Sequence, residues 1–298
     1  MSRPDLLARA EGLRSQRTPF VLATVVRAER PTSAKPGDCA LVLPDGTLEG
    51  FVGGTCAEST VRLQGLRLLS TGQSTLLRIT PGGSEGSTAE GLVTVGNPCA
   101  SGGTLDIFLE AMLPPVQVAV YGDAPVARAL VTVGRALGYD VRAISDPQAS
   151  LPADVGAVVA ASHGREEEGL LVAALRANVP YVGLVASTRR GASVLAALDV
   201  PAELRARVRT PAGLDIGART PAEIALSVYA ELISARPRPQ QAQEAEGPVM
   251  TEAVDPVCGM TVAVTAQALS VVHVGRAVYF CGPGCQHAFA DDPARYSL

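Results

Sequence analysis

Short apolar runs alternating with helical-period segments organise the middle of the chain, whereas its first third reads as strands gathered around one or two helices. Residues 4–15 have the spacing of a short amphipathic helix, and the β-rich run 20–27 predicts a strand. Residues 40–43 and 47–52 flank Pro44-Asp45-Gly46, a tight-turn sequence whose glycine accepts positive φ, so a hairpin is expected there. Helical spacing resumes over 58–69, with Val61, Leu66 and Leu69 on its inner side. More strands follow to Leu109, interrupted by a glycine-rich loop at Gly82, Gly83 and Gly86. Beyond Pro114 the runs 116–121, 140–144, 157–161 and 181–185 alternate with helices at about 126–137 and 166–178, the pattern of a parallel sheet with helical crossovers. A last helix opens on Thr220-Pro221-Ala222-Glu223, a capping box with proline at the first helical position.

Residues 236–252 are rich in Pro, Gln and Gly and cannot bury a core, so they read as a tether spanning on the order of 25 to 50 Å. That reach would bring whatever follows over a site elsewhere on the protein. The expected architecture is α/β: a mixed α+β N-terminal domain (1–113), a Rossmann-like parallel-sheet domain (114–235), the linker (236–252) and a small cysteine-rich metal-binding module (253–298).

Composition narrows the function. With 298 residues, 47% hydrophobic, the chain can bury a sizeable core. Its formal net charge of -4 gives no positive excess to hold a phosphate backbone, so nucleic acid is not expected as a partner. Six cysteines without a charged-then-apolar leader after Met1 fit a reducing cytoplasm better than a disulfide framework. No uncharged apolar run is long enough to span a bilayer.

The chemistry concentrates on thiols. Thr55-Cys56-Ala57-Glu58 reads as a capping box in which the Thr55 hydroxyl and the Glu58 carboxylate exchange bonds with each other's backbone N–H. Cys56 would then be the first helical residue, where unpaired amides favour thiolate, and Gly53 and Gly54 leave the backbone before it open to a ligand. Cys39, at a strand start, is expected in the core. In the tail, Cys258, Cys281 and Cys285 share a module so small that it needs a metal or another staple to fold. Cys281 and Cys285 lie four residues apart on a tight turn and could close on one soft ion, zinc or copper, with Cys258. The fourth ligand is not evident: His287 and His273 read as surface or packing residues.

The turn after strand 116–121 reads Gly122-Asp123-Ala124-Pro125. Only the first glycine of a dinucleotide fingerprint remains, and Asp123 sets a carboxylate where an anion should sit, which disfavours nicotinamide binding. Asp146 could meet a ribose hydroxyl or cap a loop. His163 and Arg165, at the carboxyl end of the third strand, lie where open α/β sheets gather ligands, and Arg189 and Arg190 could join them. No Walker loop, metal-protease helix or Ser-His-Asp order is present.

The tail, through Asp255-Pro256-Val257-Cys258-Gly259-Met260, Tyr279-Phe280-Cys281, Phe289, Asp292, Pro293 and Tyr296, resembles the YHS family, which implies metal handling without naming the ion. The first two thirds resemble the XdhC/CoxI family of accessory proteins for molybdenum hydroxylases such as xanthine dehydrogenase and carbon monoxide dehydrogenase. The residues concerned are Pro36-Gly37, Leu43 to Gly46, Gly53-Gly54-Thr55-Cys56-Ala57-Glu58, His163-Gly164, Val182-Gly183-Leu184 and the segment from Gly213 to Ala218 followed by Thr220 to Ile224. The resemblance implies a non-catalytic maturation chaperone. Such a protein binds the molybdenum cofactor (molybdopterin), assists its sulfuration and passes it to an apo molybdenum hydroxylase, with a cysteine desulfurase as a candidate second partner and a homodimer among the open oligomeric states. On that reading Gly53, Gly54, Cys56, Glu58, Cys99, Gly122, Asp146, His163 and Arg165 are the cofactor-binding candidates, and Cys258, Cys281 and Cys285 the metal ligands. Cys99 is displaced from the double glycine Gly102-Gly103 that it is expected to adjoin. The rival readings are a nicotinamide-dependent oxidoreductase and a metal-trafficking or metal-sensing protein.

Overall fold

The computed structural model describes residues 1–81, 87–89, 91–97, 103–164, 166–236 and 251–296. The glycine-rich loop at Gly82, Gly83 and Gly86 and the candidates Cys99 and Arg165 lie outside them. The chain forms two compact units, Met1–Pro114 with Pro239–Leu298, and Pro115–Arg238.

In the first unit, helix α1 (Arg3–Ser15) starts in a Ser2/Asp5 capping box and leads into β1 (Phe20–Glu29). The hairpin β2 (Cys39–Val42) and β3 (Leu48–Gly50) turns through Gly46 at positive φ, as Pro44-Asp45-Gly46 implied. Helix α2 (Thr55–Thr71) follows, then β4 (Thr75–Pro81), β5 (Ser87–Ala89), β6 (Leu92–Asn97) and β7 (Thr104–Met112). Together they make a mixed sheet of order β3-β2-β1-β7-β4-β6-β5. The period-2 rule sorts its faces. Val21, Ala23 and Val25 point into the core that holds Ala57 and Val61 of α2, while Phe20, Cys39 and Leu41 meet Leu6 and Leu13 of α1. Cys39 is thus the core residue its position suggested, and burial pushes its thiol pKa up. On the face opposite the α2 core, Arg78 donates twice to the buried Asp106 directly across β4 and β7, at 2.7 and 2.9 Å.

The same unit carries the C-terminal module. Among the described residues four strands form it: β13 (Glu252–Val254) pairs with β14 (Thr261–Ala263) and β15 (Leu269–His273) with β16 (Arg276–Phe280). Helix α8 (Pro283–Asp291) closes it over Val278, Phe280 and Phe289.

The second unit is a five-stranded parallel sheet of order β12-β11-β10-β8-β9, built from β8 (Gln117–Tyr121), β9 (Asp140–Ile144), β10 (Val155–Ala160), β11 (Tyr181–Leu184) and β12 (Val208–Arg209). Helices α3 (Pro125–Ala136) and α7 (Pro221–Ser234) cover one face, and α4 (Glu167–Arg176) and α5 (Thr188–Ala197) the other, with the short α6 (Ala202–Arg205) after them. The capping box expected at Thr220 is present, with Glu223 returning its bond. After β9 the chain crosses to the far side of β8, so the sheet reverses direction between β8 and β10, where Rossmann-like folds open their crevice.

Candidate thiol centre

The start of α2 departs from the capping box read in the sequence. Gly54 is the N-cap, its carbonyl accepting from the Glu58 N–H at 3.1 Å, and no side chain caps the helix. Thr55 and Cys56 therefore occupy the first and second helical positions. The reason lies outside the segment: Thr55 turns its methyl toward the module, so close that a Cβ added to Gly282 would sit 3.0 Å from it. Glu58 is half-buried, and burial raises its carboxyl pKa against the pull of Arg62, so it serves the helix flank and not the cap. Gly53 has φ 135, and a side chain there would press on Ala57 and Leu105 at 3.2 Å, whereas nothing lies within 4 Å of a Cβ on Gly54. The open backbone expected before Cys56 is real at Gly54 alone.

Beside this turn lies a cavity of about 140 Å³, lined by Thr32, Gly54, Cys56, Ile79, Asn97 and Leu105 among others. A drug-sized ligand needs roughly 300 Å³ or more, so this space takes part of such a molecule and not the whole.

Cys56 also faces the module. It packs, half-buried, against Met260, Val262 and Cys281, and its thiol hydrogen-bonds that of Cys281. Cys281 lies 3.6 Å from Cys258 and 3.6 Å from Cys285, sulfur to sulfur. Local structure explains each position. Gly259, at φ 77, lets the 255–260 knuckle turn back so that the Met260 N–H reaches the Cys258 sulfur. Cys285 sits in the first turn of α8 and Cys281 just before its N-cap, Gly282. The fully buried Asp255 ties the knuckle to the turn, accepting from the Val257 N–H at 2.9 Å and the Cys281 N–H at 2.8 Å.

The thiols cannot all ionise together. Hydrogen bonding from Cys281 and the Met260 amide lowers the Cys258 pKa, whereas Cys281 is pushed up by its bonds to Cys258 and Cys56 and then by burial. Burial raises Cys285 to about 12. A cation would replace the shared protons, which is how soft metals bind thiol clusters. The donor atoms of Asp255, Cys258, Cys281 and Cys285 all lie within 4.8 Å of one another, so the cluster could hold a metal ion. His287 is exposed and His273 packs edge-on against Phe289, so neither belongs to it.

In the second unit, the candidates at the strand ends stay apart in role. Gly122, at φ 114, lets β8 pass the end of β10: a Cβ would meet the Ala161 carbonyl at 2.6 Å. Ala124 caps α3 without a side-chain bond and Pro125 removes one amide, so this turn offers few anion donors. Asp146 accepts from the Gln148 N–H at 2.9 Å and caps its loop. His163 is exposed at φ 59. Arg190 is committed to the buried Glu167, which also accepts from Ser162 at 2.5 Å. This Ser162–Glu167–Arg190 network was not legible in the sequence, since nothing local marks Glu167 as buried.

Comparison with known proteins matches the XdhC and CoxI family over residues 13–80, the XdhC Rossmann domain over 118–232 and the YHS domain over 253–297. An uncharacterised protein of Escherichia coli (strain K12), YqeB, is 27% identical over 262 residues, 78% of this chain; the chain spans about half of that relative, 46% of its length. A crystal structure described as a xanthine dehydrogenase from Bacillus halodurans is 18% identical, with a TM-score of 0.39, over 83% of this chain and 98% of that one. In order along the chain, it therefore carries a segment of the XdhC and CoxI family, an XdhC Rossmann domain and a YHS domain.

Proposed function

We propose that the protein is a maturation factor for a molybdenum hydroxylase of the xanthine dehydrogenase or carbon monoxide dehydrogenase type, holding the molybdenum cofactor for sulfuration and insertion. The observation that carries this reading is Cys56: a half-buried thiol in the first turn of α2, bordering a cavity and an uncovered backbone at Gly54. The cavity suits the metal end of a larger guest, with the rest outside it. When bound, the cofactor would supply a thiophilic metal and its terminal ligands; Cys56 would hold that end, and Gly54 would let the guest approach main chain. Cys99, Gly122, Asp146, His163 and Arg165 are further cofactor-binding candidates of this reading. The partners of this reading are an apo molybdenum hydroxylase and a sulfur donor such as a cysteine desulfurase, in the cytoplasm.

Expression in a cofactor-producing host tests it. The purified protein is expected to release a pterin on denaturation, and Cys56→Ser to lose most of it. No pterin, together with normal maturation of the hydroxylase in cells lacking the protein, would reject the role. The sulfur cluster favours a second reading, metal trafficking. Serine at both Cys258 and Cys285 separates the two: a maturation factor keeps its pterin, whereas a metal carrier loses its function. The few amide donors at the Gly122 turn argue against a nicotinamide-dependent oxidoreductase.

A further inference from the structure

The module does not hang free of the N-terminal domain; a whole face of α2 is given over to it. Cys56, Thr60, Leu63 and Arg67 recur at spacings of four, three and four, one stripe of a helix, while Ala57 and Val61 on the adjacent stripe enter the sheet core. At one end of that stripe Cys56 joins the module's cysteines; at the other Arg67 donates to Glu252 of β13 at 2.7 and 2.8 Å. Between them Thr60 and Leu63 are buried. The β2–β3 turn adds a third contact, since Thr265 lies where a Cβ on Gly46 would come within 2.7 Å of it.

We propose that Cys56, Cys258, Cys281 and Cys285 form one four-sulfur site for a thiophilic d10 cation, zinc(II) foremost, and that the bound ion latches the YHS module onto the N-terminal domain while withdrawing Cys56 from its cavity. Regular tetrahedral geometry with metal–sulfur bonds of about 2.3 Å sets neighbouring sulfurs about 3.8 Å apart. The two sulfur separations of 3.6 Å at Cys281 are already near that edge. Three of the sulfurs belong to the module, and the fourth donor it lacks is supplied from α2. Asp255 completes the donor atoms that lie within 4.8 Å of one another, but both its oxygens already accept amides that shape the site, so the softer Cys56 sulfur, hydrogen-bonded to Cys281, is assigned in its place. The negative charge of a tetrathiolate centre is met by two helix starts, since Cys56 lies in the first turn of α2 and Cys285 in the first turn of α8. Binding is ligand exchange without redox change: each metal–sulfur bond that forms at a protonated thiol releases its proton to solvent, and the cation leaves its water ligands behind.

A Cys56 thiolate bound to the cation gives up charge to it and is a poorer donor to a cavity guest. Cation and guest therefore compete for Cys56, and the competition rests on the cofactor reading above; the four-sulfur site does not. The test uses the full-length chain and zinc(II) alone, delivered from a competing chelator, with alkylation of Cys56 followed by peptide mass spectrometry. One zinc per chain is expected, and zinc should slow Cys56 alkylation at least about tenfold, a result that needs no variant. Cys56→Ser should weaken zinc binding by about 100-fold or more, and Glu252→Arg, which breaks the docking contact without touching a sulfur, should weaken it in the same direction. Equal zinc affinity in the wild type and Cys56→Ser, an unchanged Cys56 alkylation rate, or no zinc binding at all would overturn the proposal. A chain that passes without ever carrying pterin keeps the latch and loses the maturation role; one that carries pterin while Cys56 ignores zinc does the reverse.

Discussion

The glycine-led turns that open α2 and α3 have opposite fates. At Gly53-Gly54-Thr55-Cys56 the backbone of Gly54 is uncovered and the next helical turn ends in a thiol shared with the YHS module. At Gly122-Asp123-Ala124-Pro125 the glycine is consumed by packing, its missing side chain making room for the Ala161 carbonyl, and Pro125 removes a donor. The same residue type thus marks open backbone in one unit and a close strand crossing in the other. What distinguishes them is the space a Cβ would find, which no motif states.

The largest expected effect concerns the thiol side of this contrast. Stripping metal with a chelator, or substituting Cys281→Ser, should abolish the ordered module: amide exchange in β13 to β16 is expected to rise to the rate of an unfolded chain, since a module this small depends on its staple. Persistent protection without metal would mean that the aromatic cluster of Phe280 and Phe289 suffices. Next comes the buried network at the end of β10. Glu167→Ala strips Arg190 of its carboxylate partner and should cost about 3 kcal/mol of stability in the parallel-sheet unit, read as a lower denaturation midpoint.

The glycines themselves give the paired test. Gly122→Ala forces a side chain to positive φ against a carbonyl and should cost roughly 3 kcal/mol. Gly54→Ser, at an N-cap with free space, should stabilise α2 by a few tenths of a kcal/mol at most. Similar losses at both positions would erase the distinction drawn between the turns.

The smallest effect is an acid one. The Arg78 guanidinium, hydrogen-bonded to Asp106, lowers the Asp106 carboxyl pKa in the folded state. Its contribution is therefore complete above the unfolded value of roughly 3.9 and is lost as pH falls through the lower folded value. Asp106→Asn should remove that acid dependence, seen as flatter amide exchange of β4 and β7 between mildly and strongly acidic solution. An unaltered profile would place the acid-sensitive group elsewhere.

Much of this architecture could be read in the sequence where the code is local. The strands of the parallel sheet announced themselves as short apolar runs because both faces are covered, and Thr220-Pro221-Ala222-Glu223 capped its helix as its residues require. The three tail cysteines were found for the same reason, two of them sharing one turn. The Thr55 box failed because Thr55 answers to Gly282, a partner far along the chain. The fourth sulfur stayed hidden for the same cause: Cys56 reaches the cluster by docking, and only the stripe from Cys56 to Arg67, reaching buried positions off the sheet-facing side, hints that α2 has a second face to cover.

X-ray absorption at the zinc edge, on the full-length chain loaded with one equivalent of zinc(II), addresses the central claim most directly. Four sulfur scatterers at about 2.3 Å are predicted for the wild type, falling to three with one oxygen or nitrogen neighbour in Cys56→Ser. A three-sulfur shell in both, unchanged by the substitution, would contradict the account and leave Cys56 outside the metal site.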